Sequence, residues 1–166
     1  MITTPRLEQR AEQHYMGIRT RAAMSQLSTV IPQSIGEVFA WLGQRGVEPA
    51  GPPLVRYYVI DMEAELDIEM GVRVVHAVSG DGRVQPGVIP AGRYATLIHT
   101  GPYDGLMAAT ANLLTWAQAN DITWQISKAG QDEVWGARIE FYPTDPQAEP
   151  DPQKWETELA FLTRGS

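Results

Sequence analysis

Only two stretches of this chain repeat apolar residues with the period of an α-helix, and each is set among segments rich in β-branched and aromatic side chains. The first covers residues 32–45, where Ile31, Ile35, Val38, Phe39 and Leu42 recur at spacings of three and four. Pro32 suits the first turn of such a helix, and Gly46 its end. The second covers residues 104–119, with Leu106, Ala109, Leu113, Trp116 and Ala117 on one face, Asp104 as its cap, and Asn120 and Asp121 beyond its last turn. The flanking segments read as strands: residues 13–21, 54–62, 68–78, 93–100, 133–142 and 155–163, with shorter ones at 6–10 and 84–89. Ser79-Gly80-Asp81-Gly82 reads as a turn.

The order strand, strand, helix, strand, strand therefore occurs twice. The two halves, about residues 1–78 and 84–163, share a faint likeness: Tyr15, Trp41 and Arg56-Tyr57-Tyr58 are echoed by Tyr94, Trp116 and Arg138-Ile139-Glu140. This arrangement predicts an α+β fold made of a duplicated unit, with about eight mostly antiparallel strands and two main helices on one face. A ligand groove is expected where the halves meet, near a pseudo-two-fold axis. Residues 143–152 hold four prolines with Asp145, Glu149 and Asp151, an irregular acidic loop and not a strand. No linker divides the chain, so residues 1–166 are expected to form a single domain.

At 43% hydrophobic over 166 residues, the chain can enclose one core. No run approaches the ~18 apolar residues of a spanning helix, and Arg6, Glu8, Arg10 and Glu12 interrupt the start, unlike a signal peptide. No membrane partner is expected, and the cytoplasm is the expected location. With no cysteine, disulfides, thiol nucleophiles and cysteine-based zinc sites are excluded. His14, His76 and His99 lack the spacing of a metal site and read as satisfied strand histidines; no metal or cofactor is expected. The net charge of −7 repels a phosphate backbone and the basic residues are dispersed. Direct nucleic-acid contact is therefore not expected, and neutral or cationic partners are favoured.

Glu140 is the most informative titratable residue, because it falls inside Val134-Trp135-Gly136-Ala137-Arg138-Ile139-Glu140-Phe141-Tyr142, an otherwise apolar and aromatic strand. Alternation puts Arg138, Glu140 and Tyr142 on one face, Ile139 and Phe141 on the other. With Ile139 and Phe141 toward the helices, Glu140 would lie on the open face of the sheet. Two readings stand: an exposed strand carboxylate paired with Arg138, or the carboxylate of a pocket. Tyr57, Tyr58, Tyr142 and Trp135 could line a groove with it and stack on a flat ligand. Alternation admits only one of Tyr57 and Tyr58 to that face, and admits Trp135 only if Gly136 marks a bulge. Core packing is the alternative for each ring. Trp41 and Trp116 read as core. Glu69 and Glu158 hold comparable places late in each half and read as solvated strand charges. Met16, Met24, Met62, Met70 and Met107 suit core filling or an adaptable site equally.

The run Gly87-Val88-Ile89-Pro90-Ala91-Gly92-Arg93-Tyr94-Ala95-Thr96-Leu97-Ile98-His99-Thr100-Gly101-Pro102-Tyr103-Asp104-Gly105-Leu106 carries a resemblance. With it go Gly51-Pro52-Pro53 before Tyr57-Tyr58, Asp67-Ile68-Glu69-Met70-Gly71-Val72, Glu140-Phe141-Tyr142 with Asp145-Pro146, and Thr157-Glu158-Leu159. In this order they resemble the gyrase-inhibitor-like (GyrI-like) small-molecule-binding family, related to the effector-binding domains of bacterial multidrug-responsive transcription regulators. The likeness spans essentially the whole chain. It implies a duplicated strand-helix-strand-strand fold and carries the family's pocket glutamate onto Glu140, at the base of an aromatic groove that attracts lipophilic cations. Together with the strand aromatics, it makes Glu140, Tyr142, Tyr58, Tyr57, Trp135 and Arg138 the candidate ligand-binding residues of a standalone multidrug-type binding protein for planar hydrophobic, often cationic, small molecules.

Some members resemble hydrolases that open the cyclopropane rings of DNA-alkylating natural products, which would make Glu140 a catalytic general base. The family name also implies DNA gyrase as a partner, inhibited or protected. Four departures from the family pattern stand out. No helix-turn-helix segment precedes residue 1, so no DNA-binding domain is expected. Residues 120–131 replace a compact turn and add Trp124. Leu162 and Thr163 stand where a Pro-Val pair is common, and Arg73 replaces an expected proline.

Overall fold

A computed structural model describes residues 1–61 and 63–165. In chain order it contains β1 (Arg6–Arg10), β2 (Gln13–Ala22), α1 (Leu27–Gln44), β3 (Pro53–Val59), β4 (Leu66–Val74), β5 (Gln85–Ile89) and β6 (Gly92–Thr100). Then follow α2 (Leu106–Ala119), β7 (Ile126–Ala129), β8 (Asp132–Trp135), β9 (Arg138–Phe141) and β10 (Glu156–Leu162). Eight strands form one antiparallel sheet in the order β1-β6-β10-β9-β3-β4-β2-β5, and β7 pairs with β8 in a separate hairpin. The duplication is visible in this order. β2-α1-β3-β4 and β6-α2-β9-β10 are the two units, and their inner strands β3 and β9 pair antiparallel at the centre, Val55 opposite Glu140. The outer strands are exchanged: β1 precedes β2 in sequence yet pairs with β6, and β5 precedes β6 yet pairs with β2. Each unit thus has its outer strand supplied from the other's flank, which ties the halves into one body.

Both helices cover the same face. Val38, Trp41 and Leu42 of α1 pack with Met16, Ile18 and Val72, and its Leu27, Val30, Ile31 and Ile35 with Val55, Ile68 and Met70. Ala109 and Leu113 of α2 pack with Leu97, Leu159 and Phe161. Each fully buried aliphatic side chain contributes roughly 1.5–3 kcal/mol, so these contacts fix the helices to the sheet. The opposite face gathers Tyr15, Leu54, Ile89, Tyr94, Ile139, Phe141 and Leu162. Arg10 on β1 and Arg73 on β4 reach the same Phe141 ring, although five strand spacings, about 24 Å in a flat sheet, separate their strands. The sheet is therefore curled, with this face concave.

Several local expectations are corrected. α1 begins at Leu27, after a 3-10 turn at Met24–Gln26, so Pro32 lies inside the helix. Ser28 and Thr29 in its first turn hid the extension of the stripe to Leu27 and Val30. Asp104 does not cap α2: it sits in a 3-10 turn, Tyr103–Gly105, and makes no capping hydrogen bond. The strand expected at 54–62 ends at Val59, and Met62 lies outside the described residues. The strand expected at 68–78 ends at Val74, leaving His76 exposed in a bend. The segment 133–142 is two strands, β8 and β9, broken at Gly136 and Ala137. At the break, the Gly136 N–H donates to Gln125 O at 2.7 Å, and a Cβ on Gly136 would lie 2.8 Å from the Gln125 side chain. That close approach requires glycine. The hairpin β7–β8, turning at Gly130 with φ +63°, was not expected. Among the described residues, no helix is long and apolar enough to cross a membrane.

Candidate functional site

Read directly across β6, β10, β9, β3, β4 and β2, the register lines up Leu97, Leu159, Glu140, Val55, Met70 and Ile18. The five apolar members are each 2% exposed or less. Glu140 is the one charge in this row, at the seam between the halves and on the face that carries both helices. Two hydroxyls donate to its Oε1, Tyr57 at 3.0 Å and Tyr142 at 2.5 Å. Its Oε2 accepts no hydrogen bond from any described residue and is not sealed from solvent. Tyr57 and Tyr142 lie two residues past Val55 and Glu140 on antiparallel strands, so they flank the carboxylate from opposite ends.

Burial raises the Glu140 carboxyl above its ordinary pKa; the Tyr142 and Tyr57 hydroxyls and the charge of Arg138 oppose this without cancelling it. Both phenols are pushed well above their ordinary value, by burial first and then by Glu140, and so stay hydrogen-bond donors at neutral pH. Arg138 makes no ion pair with Glu140 within 4.0 Å among the described residues. Its guanidinium instead lies between two rings, 4.6 Å from the centre of Trp135 and 4.7 Å from that of Phe161. Burial lowers its pKa. Next to Tyr142, the ring of Tyr103 packs edge-on at 5.7 Å and itself lies 4.9 Å from Trp155. A half-buried carboxylate, bordered by phenols and lacking a close counter-ion, is suited to hold a cation or to accept a proton.

Of the residues expected here, Glu140, Tyr57 and Tyr142 are brought together by hydrogen bonds, and Arg138 acts on Glu140 by its charge. Trp135 reaches the group only through Arg138, whose guanidinium it faces, because the chain breaks after it at Gly136. Tyr58 does not join. Its hydroxyl crosses to the concave face and donates to Glu69 at 2.7 Å, while the Arg19 guanidinium covers its ring at 3.7 Å. The expected orientation of the sheet is also reversed: Ile139 and Phe141 enter the concave cluster, so Glu140 faces the helices and not the open side. Tyr103 and Trp155 were missed, because one lies in a turn and the other at a loop end, where no alternation marks a face.

Glu69 is a second correction. It is buried, 6% exposed, and its Oε1 accepts from the hydroxyls of Tyr15 and Tyr58. Arg56 donates to the Tyr15 hydroxyl at 3.1 Å and to the carbonyls of Val88 and Gly136 at 2.8 Å each. Glu158 is bonded to Arg10 at 3.0 Å. His99 is buried, with Nε2 3.0 Å from Pro102 O. No group of three His, Cys, Asp or Glu among the described residues could hold a metal ion.

Fold and seam together define a class: a duplicated α+β module with one carboxylate in the apolar row where its halves join. The GyrI-like small molecule binding domain matches residues 3–162, and the chain belongs to that family. Among solved structures, the C-terminal domain of EcmrR is 22% identical, with a TM-score of 0.76, and 98% of each chain is covered. The EcmrR–DNA complex gives 23% identity and a TM-score of 0.76; there this chain is 96% covered and spans 57% of EcmrR. A hydrolase from Listeria innocua is 15% identical, with a TM-score of 0.58 and coverage of 96% of this chain and 91% of that one. SAV2435 bound to tetraphenylphosphonium is 10% identical, with a TM-score of 0.61 and coverage of 98% and 95%. These likenesses show the fold. No curated protein matches the chain.

Proposed function

We propose that this GyrI-like domain binds planar, hydrophobic, cationic small molecules at the seam, with Glu140 as the counter-charge and Tyr57, Tyr142, Trp135 and Arg138 around it. The observation that carries the reading is the lone carboxylate in a row of buried apolar residues, with Oε2 unbonded. A cation about 4 Å from it gains about 4 kcal/mol at an effective dielectric near 20, less the desolvation of both charges. A flat body burying ~200 Å² of apolar area gains about 5 kcal/mol before the costs of association. Neither contribution dominates, and neither is strongly directional, so selectivity is broad. Tetraphenylphosphonium, bound by SAV2435, supports the hydrophobic and cationic character of the ligand class, though it is tetrahedral and not flat.

The test is fluorescence titration with a rhodamine-type or ethidium-type cation. Binding in the micromolar range, weakened at least tenfold in Glu140→Gln, is the expected result. An affinity unchanged by that substitution would discard the role given to the carboxylate.

A second reading has one specific support, the raised carboxyl of Glu140 in a fold shared with a hydrolase. Glu140 would then act as general base on a water that opens a strained cyclopropane ring. Mass spectrometry after incubation with such a compound separates the two: a hydrolase adds the mass of water, and a binder returns the compound intact.

A further inference from the structure

Two half-open depressions, of about 170 and 200 Å³, adjoin Arg73 and not Glu140. The first opens on the concave face, on the far side of the sheet from the seam. Phe141 and Ile98 line it, and two guanidiniums face the Phe141 ring, Arg10 at 6.0 Å and Arg73 at 5.8 Å from its centre. The two cations are treated unequally. Arg10 is bonded to both Glu8 and Glu158, each at 3.0 Å. Arg73 has no carboxylate within 4.0 Å among the described residues. Its Nη1 donates to Gln13 Oε1 at 2.5 Å, and its Nε is buried without an acceptor. Burial, with the like charge of Arg10, lowers its pKa.

The backbone makes room for this guanidinium: a Cβ on Gly51 would lie 2.2 Å from Arg73 Nη2. A partly buried cation that lacks a close counter-ion, its Nη2 taken by no acceptor among the described residues and its guanidinium beside an aromatic ring, states the chemistry of the group that would complete it. Planar guanidinium donors match a carboxylate, and the ring and aliphatic wall match an apolar body. The cavity is smaller than the roughly 300–1,000 Å³ of drug-sized pockets, which limits that body to a single ring.

We propose that the cavity between Arg10, Arg73 and Phe141 is a second ligand site, taking a small aromatic carboxylate with its carboxylate on Arg73 and its ring against Phe141 and Ile98. Glu158 is occupied by Arg10 and acts as an internal competitor for the same charge; Glu156 is exposed at the rim. The site stands independently of the seam, since the two open on opposite faces.

The experiment is titration of the full chain with sodium benzoate, followed by ¹H–¹⁵N NMR, with benzyl alcohol as the neutral control. Saturable shifts are expected at the amides of Gly51, Val72, Phe141 and Glu158, with benzyl alcohol binding at least tenfold more weakly. Arg73→Gln weakens benzoate at least tenfold, and Arg73→Lys, which keeps the charge but not the fork, weakens it less. Glu158→Gln removes the competitor and tightens benzoate severalfold, a change that loss of structure would not produce. A bound cationic dye is not displaced by benzoate. Equal benzoate affinity in Arg73→Gln and the unmodified protein, equal binding of benzyl alcohol, or displacement of the dye would each overturn the proposal.

Discussion

Glu140 and Glu69 are capped alike, on opposite faces of one sheet. Each carboxylate takes two tyrosine hydroxyls on its Oε1, and the adjacent residues Tyr57 and Tyr58 serve one each. They differ in what the register places beside them. Glu69 stands directly between Arg19 and Arg56; Glu140 stands between Leu159 and Val55. Glu69 thus joins a network that serves the fold: its tyrosine Tyr15 accepts from Arg56, which also ties β3 to the carbonyls of Val88 and Gly136, while Arg19 pairs with Asp67. A charge set among apolar neighbours costs desolvation that the phenols only partly offset.

The comparison can be broken first by stability. Glu69→Ala leaves the Tyr15 and Tyr58 hydroxyls, and the Arg56 network that ends on Tyr15, without their acceptor, and is expected to lose about 3 kcal/mol in urea unfolding, against about 1 kcal/mol or less for Glu140→Ala. Equal losses would erase the distinction. Next comes pH. Because the Glu140 carboxyl is raised from 4.5, the affinity for a permanently charged dye should climb as pH rises, with its midpoint above 4.5. The profile should be flat in Glu140→Gln.

The unliganded protein offers a third measurement. A carboxyl raised by folding binds its proton more tightly in the native state, so its contribution to stability is greatest below the unfolded-state pKa and falls as pH rises toward the folded value. Glu140→Gln should therefore raise Tm at pH 7, and by less near pH 4. The smallest effect sharpens the pairing of the tyrosines. Tyr57→Phe removes a hydrogen bond that favours the ionised carboxylate and should move the midpoint of dye binding upward. Tyr58→Phe should leave that midpoint in place and cost about 1 kcal/mol of stability.

The doubled order of elements was legible in the chain, and so was the grouping of Arg138, Glu140 and Tyr142 on one side of a strand. The exchange of β1 and β5 between halves was not, because strand pairing across the chain leaves no local pattern. The break after Trp135 was legible only as an exception resting on Gly136. Its cause is the contact of Gly136 with Gln125, a residue of a segment that carried no strand signal of its own.

Periodicity is a property of neighbouring residues, so the amino-acid sequence by itself determined the two helices, the alternating strands and the separation of Tyr57 from Tyr58. Alternation is unchanged when a strand is turned over, so it could not say which side of β9 meets the helices. Tertiary packing decided that: Ile139 and Phe141 joined the concave cluster, which turned Glu140 toward the helices and placed Val55 and Leu159, instead of arginines, at its sides.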